Sequence, residues 1–587
     1  MATPTGSAAA KPATVAASAL PLLTSLSIGV TGHRDLDADD EPRLREQVRD
    51  FLLRLRQTFP GLPLRVICGL AEGADRLVAE QALALDVPVL VPRFTDAKDS
   101  DESETETGQS RRFQSLLERC RSLDLSHSTN PLRSSGEAGS TDAGHERDAS
   151  LGVFISSHCQ ILLALWDGQT AQSPGETGDI VEFHLNERMP ALNWSAPMPA
   201  QLAEDSNDLI YHLPCRRRGL DRLDASAAPR WLLAEDELPG DQPIPEEYRR
   251  VFSHMQTYNA DLLRHAGSIA ADAHGFFSEQ NADLRTDRQM QHLDVAYRQS
   301  DWLAVHYQRQ VRRGLLAIHL MAILMGAAFI AYDNVLDEPW FLGLFLLAFV
   351  VGWLWYVAGR RRDWHRKYLD YRTLAEGVRV QMYWHLARVE TDSDILFAYD
   401  AFLRNQDAEL GWIRHVMRDA ALVQDRRHSR DPHWLSWTIA DWVGDETSGQ
   451  LGYYLRKCHQ CELHYGLTQR LGLLALISGV MVAALLLLLS SRLPGPVATG
   501  MLVLVGLLPL IAGVRESYSN KKADKELIKQ YRHMGGIFRR ARRQLDAAKS
   551  DDERRRVLRA LGDACLEEHT EWLRIHRDRP LEQSQLG

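Results

Sequence analysis

Four apolar runs constrain this chain more than any other feature. Residues 314–332 (GLLAIHLMAILMGAAFIAY), 340–358, 471–489 and 496–514 each hold 19 residues without an Asp, Glu, Lys or Arg. At about 1.5 Å rise per residue, such a run matches a hydrocarbon core about 30 Å thick. Two short connections, DNVLDEP (333–339) and SSRLPGP (490–496), turn the runs into two helical hairpins. The outer flanks are basic, with Arg309, Arg312 and Arg313 before the first run and Arg360, Arg361, Arg362, Arg366 and Lys367 after the second. Arg456, Lys457 and Arg470 precede the third run, and Arg515, Lys521, Lys522 and Lys525 follow the fourth. The bias of Lys and Arg predicts both hairpin turns outside the cell and both termini in the cytoplasm, in a multi-pass protein of the cytoplasmic membrane. Trp340, Trp353, Trp355 and Tyr356 suit interfacial anchoring of the second helix. Without intramembrane charge, a coupled carrier is disfavoured against a hydrophobic pore or membrane-disrupting packing. His319, the one titratable group inside these helices, reads as a packing or hydrogen-bonding residue.

The mean hydropathy of −0.28 conceals this segregation. A net charge of −10 shows no basic excess, so nucleic acid is not an expected partner. Seven scattered cysteines do not form a disulfide framework and suit a reducing compartment. Residues 1–21, rich in Ala, Thr, Pro and Ser, read as a disordered lead-in rather than a secretory signal.

The hairpins belong to a tandem repeat. YRTLAEGVR begins at Tyr371 and YRHMGGIFR at Tyr531, an offset of 531 − 371 = 160. Trp412 and Trp572 repeat the same offset, and VHY (Tyr307) and LHY (Tyr465) lie 465 − 307 = 158 apart. The expected copies span 296–430 and 431–587. Their charged helical parts read as a cytoplasmic stalk, and the duplication suits a homo-oligomer, a dimer or tetramer.

Residues 22–220 alternate strand and helix patterns. SLSIGV, LRVICGL, VPVLVPRF and CQILLALWDG read as near-continuous apolar strands of a parallel sheet with helices on both faces, an α/β Rossmann-like domain. Asp39 or Asp40 is the expected cap of the helix EPRLREQVRDFLLRLRQTFP. In such folds the ligand lies at the carboxyl ends of the strands, and every glycine cluster falls there. The first end gives Gly29, Thr31, Gly32, His33 and Arg34; the second gives Gly69, Leu70, Ala71, Gly73, Ala74 and Asp75. The later strand gives Trp166, Asp167 and Gly168, and the loop SPGETGD gives Gly175, Thr177, Gly178 and Asp179, with Glu182 one turn on. Glycine lets backbone N–H groups approach a phosphate, and a helix N-terminus favours the anion. Arg34, Arg76 and Arg93 can neutralise it, Asp167 and Asp179 can meet ribose hydroxyls, and Trp166 can stack on a base. The convergence predicts a nucleotide-type ligand. Neither a dinucleotide fingerprint nor a Walker-type phosphate loop occurs, which excludes an ATPase motor.

GVTGHRDL, GLAEGADRLVAEQAL, ILLALWDG and GETGDIVE together resemble the SLOG superfamily, which includes the LOG nucleotide phosphoribohydrolases, DprA-like proteins and the sensor domain of melastatin-type TRP channels. The region 290–580 resembles the SLATT membrane effector domain, present twice. The pairing implies prokaryotic nucleotide-signalled defence: an effector activated by an ADP-ribose-like or cyclic or oligonucleotide second messenger, with the lipid bilayer as its target and no cofactor or metal required. LOG enzymes carry P-G-G-x-G-T-x-x-E; here Pro174, Gly175, Gly178 and Glu182 match, while Glu176 and Asp179 replace a glycine and the threonine. Glu176 puts negative charge where a phosphate would rest and Asp179 loses a hydroxyl donor at the helix N-terminus, which favours a sensor over an enzyme. The alternative is a membrane-anchored hydrolase of nucleotide N-glycosidic bonds with Glu182 and Arg93 as its working pair; a second is a constitutive ion channel or scaffold.

Three further stretches stand out. CHQC (Cys458 to Cys461) reads as a helix face and not half a zinc site. An acidic, Ser/Gly-rich insertion at 95–150 reads as largely disordered. PCRRRG (Pro214 to Gly219) reads as a solvated turn or a phosphate contact. Residues 221–295 are the expected connector between sensor and membrane.

Overall fold

The computed structural model of the chain describes residues 21–94, 108–125, 143–192, 194–195, 208–219, 228–234, 236–272, 287–335, 338–389, 402–403, 408–422, 432–489, 492–521 and 524–577. The expected lead-in at 1–21, apart from Pro21, and most of the acidic and Ser/Gly-rich stretches lie outside these residues.

The front half alternates β1 (Leu26–Gly32), α1 (Glu41–Thr58), β2 (Leu64–Ile67), α2 (Ala74–Ala84), β3 (Val89–Phe94), α3 (Gly108–Arg119), β4 (Arg121–Leu125), α4 (Ala143–His158), β5 (Ile161–Trp166) and α5 (Thr177–Asn186). A two-stranded ribbon of β6 (Arg188–Met189) and β7 (Trp194–Ser195) follows, and then β8 (Ile210–Pro214), β9 (Arg230–Leu232) and β10 (Glu237–Pro239). One eight-stranded sheet runs β10-β9-β8-β5-β1-β2-β3-β4. The six strands from β8 to β4 are parallel, and β9 and β10 add an antiparallel edge. Chain order reverses between β1 and β5, where a parallel sheet opens a crevice at its carboxyl edge. Both faces are covered, so the central strands are apolar on both sides. Ile28, Val66 and Leu163 pack against Val48, Phe51 and Leu52 of α1. Leu162 and Ala164 pack against Val153 of α4 and Ile180 of α5.

Three expectations are corrected here. The insertion at 95–150 contains α3, β4 and α4; Leu123 and Leu125 of β4 are buried against Ile67 and Leu90, and that alternation draws a polar stretch into the sheet. The sheet also passes the expected boundary at 220, since β9 and β10 pair onto β8. Asp40 does stand at the start of α1, but its carboxylate makes no cap. It pairs with Arg43 (2.7 Å) and accepts the Arg216 N–H (3.0 Å), because a nearby guanidinium outcompetes the helix's own amides.

The back half is helical: α6 (Glu246–Asp272), α7 (Arg288–Asn334), α8 (Pro339–Arg361), α9 (Trp364–Ala387), α10 (Gly411–Ala421), α11 (Pro432–Thr438), α12 (Gly449–Leu489), α13 (Gly495–Lys521), α14 (Asp524–Ala547) and α15 (Asp551–Arg577). Four of these helices, α7, α8, α12 and α13, are long and apolar enough to cross a membrane. The bounds of α9 and α14 differ by 524 − 364 = 160 and 547 − 387 = 160, the offset of the sequence repeat. Gly326 of α7 faces Leu510 of α13 and Gly506 of α13 faces Ile330 of α7, so small residues let these helices approach closely. His319 bonds the Leu315 carbonyl (2.8 Å) and lies edge-on to Tyr518. Cys458 and Cys461 share α12, where the Cys458 thiol contacts Glu462.

The helices dock on the amino ends of the strands. Asn259 of α6 accepts the Thr24 N–H (3.0 Å) and donates to the carbonyls of Thr24 (2.9 Å) and Gly61 (3.1 Å), just ahead of β1 and β2. Asp419 of α10 accepts the Ser25 N–H (3.0 Å) and pairs with Arg65 (2.5 Å). Two residues past Asn259, Asp261 binds Lys367 and Tyr371 of α9, each at 2.7 Å.

Candidate ligand site at the carboxyl edge of the sheet

The turn after β1 is built against the first turn of α2. A Cβ on Gly32 would lie 2.4 Å from Ala74 Cβ and 2.9 Å from the Leu165 carbonyl. Gly73 has φ of 74°, and a Cβ there would meet the His33 and Arg34 carbonyl oxygens at 2.5 Å. Ala74 N–H donates to His33 O (3.1 Å), which spends one of the free amides of α2 inside the protein. Gly29 is tight for another reason: a Cβ there would strike Cys159 Sγ at 2.7 Å, on the sheet face and away from the edge. Thr31 lies opposite Ala164 of β5.

His33 closes the β1/β5 crevice. Its Nε2 lies 3.2 Å from the Asp167 amide nitrogen and 3.0 Å from the Asp167 carboxylate. A neutral ring accepts from the first, and an imidazolium donates to the second. Both side chains are 11% exposed, so this contact is a strut and only its rim meets solvent. Trp166 donates its indole N–H to Gln169 O (2.9 Å), and Gly168, with φ of 80°, finishes the turn with no neighbour within 4 Å of a Cβ.

Two expected ligand carboxylates are occupied internally. Asp75 is buried and accepts the Ala71 N–H (3.2 Å); burial pushes its carboxyl up to about 7 although the amides of Ala71 and Gly69 favour the ion. Leu70, between those amides, takes a left-handed φ of 57°. Asp179 accepts N–H groups from Gly175 (3.3 Å) and Ala191 (3.2 Å); burial raises its carboxyl and these two bonds partly offset the rise. Glu176, ahead of Thr177 and Gly178, takes the Gln172 N–H (2.8 Å). The N-termini of α2 and α5 thus hold the protein's own carboxylates where an anion would sit.

What faces outward at this edge is a ring of exchangeable ion pairs. Arg34 reaches Asp148 of α4 at 2.7 Å, with side chains 63% and 42% exposed. Arg217, after β8, meets Asp35 at 3.1 Å and Asp167 at 3.9 Å. Arg76 turns back to Leu70 O (3.3 Å) and Glu72. Arg217 belongs to PCRRRG, and only the parallel pairing of β8 with β5 brings it beside the β1 turn. Its place within a basic cluster next to an apolar strand was the available signal.

Arg93 is exposed at the end of β3, opposite Asp124. Glu182 lies on α5, bonded by Asn186 (2.9 Å). α5 packs by β5 and β8, and β3 stands three strand spacings from β5, on the order of 14 Å. The working pair of the hydrolase alternative is therefore spread across the sheet.

Comparison of the chain with protein-family models, with curated proteins and with solved structures finds no match.

Proposed function

We propose that this chain is a ligand-gated membrane effector of the cytoplasmic membrane, in the manner of the SLOG–SLATT pairing that its motifs resemble. A nucleotide-derived second messenger binds the Rossmann-like carboxyl edge, with its phosphate taken by Arg34 and Arg217 and its ribose near Asp167. Two hairpins, with both termini in the cytoplasm, then open a pore or disrupt the bilayer in a dimer or tetramer. The observation that carries this reading is the wiring: Asn259 and Asp419 tie the sheet to α6 and α10, and Asp261 ties α6 to α9, the helix that follows the apolar α8; all three are buried or half-buried. A rigid sheet held by helices that pack on the long helix α7 suits transmission more than turnover. The signal must bind the open state more tightly than the closed one.

The test has two parts. Nucleotides that co-purify with the protein are identified by mass spectrometry, and the one found is added to dye-loaded liposomes containing the protein. Ligand-dependent dye release is expected. Release of free base from the nucleotide, lost in Glu182→Gln, would instead establish the hydrolase; conductance without ligand, unchanged in Gly32→Val, would establish a constitutive channel.

A further inference from the structure

A cavity of about 520 Å³ lies among the cytoplasmic helices, between the two copies of the repeat. Its walls come from α7 and α9 of the first copy and α12, α14 and α15 of the second. Three cations face it: Arg372, Arg379 and Lys457. Glu376 pairs with both arginines. Burial works against its ionisation, but the two guanidinium groups outweigh that and hold its carboxyl below the usual range. Arg372 also reaches Asp301 (3.0 Å), whereas Lys457 has no carboxylate partner among the described residues and lies over the Tyr453 ring. Two buried polar atoms on this wall, Arg379 Nε and His569 Nε2, have no hydrogen-bond partner there. A buried guanidinium N–H left unpaired, as at Arg379 Nε, is rare and costly and marks a missing acceptor, while His569 Nε2 donates or accepts according to its tautomer. Glu568, the other acid of the wall, is bonded by Gln530, and burial pushes it up to about 7. Flat apolar surface is supplied by Trp442, Tyr531 and Trp572.

We propose that this cavity is a binding site for a ring-bearing organic anion of nucleoside-monophosphate size, its charged group on Arg379 and Lys457 and its ring against the aromatic wall. The volume falls in the range of small-molecule pockets, about 300–1,000 Å³, and cation plus flat ring is the pairing that recognises such a molecule. The site goes beyond the sheet-edge reading and does not depend on it. It lies close to the membrane: Gln308 on its wall precedes the first apolar run by 314 − 308 = 6 residues, about 9 Å along α7. An occupant touching α7 and α12 at once bears on both halves of the membrane part.

Full-length protein in nanodiscs is titrated with adenosine monophosphate by equilibrium dialysis. One site that survives Arg34→Ala within twofold, and weakens at least tenfold in Lys457→Met and Arg379→Gln, is expected. Adenosine and inorganic phosphate should each bind at least tenfold more weakly. Should Arg379→Gln not fold, Lys457→Met carries the test, since its ammonium has no carboxylate partner among the described residues and lies only over the Tyr453 ring. Binding that survives Lys457→Met but not Arg34→Ala belongs to the sheet edge; it overturns the cavity assignment and leaves the sensor reading intact. Absence of binding, or phosphate alone binding as tightly as the nucleotide, also overturns it.

Discussion

At the residue scale, Asp75 is the carboxylate with most to say. Its ordinary value is 3.8, and in the folded chain it titrates at about 7. Between those two values the folded chain keeps a proton that the unfolded chain has released. Stability therefore falls as pH rises from about 4 to about 7, the reverse of the usual paired carboxylate. Asp75→Asn removes that share. Its melting temperature, followed by intrinsic fluorescence, is expected to fall less between pH 5 and 7.5 than that of the wild type; an unchanged slope would refute the assignment. Glu568, also near 7, retains its own share, so the double variant with Glu568→Gln should be flatter still. The exposed Arg34–Asp148 pair behaves differently. Such pairs contribute about 0–1 kcal/mol, so Asp148→Ala should leave the melting temperature nearly unchanged. By freeing Arg34, it should tighten a phosphate-bearing ligand by up to about fivefold in a dialysis titration. Weaker binding would mean that Asp148, and not the ligand, is what Arg34 is there to position.

At the scale of elements, two glycines of similar positive φ differ in what surrounds them. Gly168 and Gly73 have φ of 80° and 74°, but a Cβ on Gly168 meets open space while one on Gly73 meets two carbonyl oxygens at 2.5 Å. Gly168→Ala is expected to cost about 1–2 kcal/mol, the left-handed strain alone. Gly73→Ala should cost about 1–3 kcal/mol more, since its ψ of −116° suits glycine alone and α2 must leave the β1 turn. Equal losses in chemical denaturation would show that the close approach is not rigid. These turns were legible in the sequence because glycines follow the apolar strands β1, β2 and β5, and the long helices were legible because of their apolar runs or 3.6-residue periods. The offset of 160 located α9 and α14 against each other. Other elements left no such mark. β9 and β10 have three residues each, too few for a period, and β4 carries only two buried leucines among polar neighbours. The cap expected of Asp40 failed for a reason partly local, the Arg43 guanidinium one turn on, and partly tertiary, since the Arg216 N–H comes from 216 − 40 = 176 residues away. The cavity between the repeat copies was illegible for the same reason: its cations look like solvated faces of separate helices until those helices pack.

For the whole molecule, the decisive relation is between the two edges of the sheet. The glycine turns lie at the carboxyl ends of the strands, and α6 and α10 dock at the amino ends. β1 is seven residues long, about 20 Å, so a ligand at one edge does not touch the helices at the other. A close-packed sheet deforms little and transmits displacement as a body. Its motion must then be read where it is held, at Thr24 and Gly61 by Asn259 and at Ser25 and Arg65 by Asp419. These two contacts differ in what they hold. Asn259 continues within one turn to Asp261 and thence to Lys367 and Tyr371 of α9, whereas Asp419 ties the sheet to α10, whose Leu422 neighbour is buried against Ile67 and Leu90. Removing Asp419 therefore uncouples one face of the sheet without disturbing the carboxyl edge. In Asp419→Ala, ligand affinity should stay within twofold of wild type, since coupling of binding to output is lost and not the site itself. Ligand-driven dye release from liposomes should fall at least tenfold, with leakage in the absence of ligand unchanged. Release that persists at the wild-type level would place the transmission wholly in α6, and Asn259→Ala, which leaves the Thr24 amide without its acceptor, would then be the variant that abolishes it.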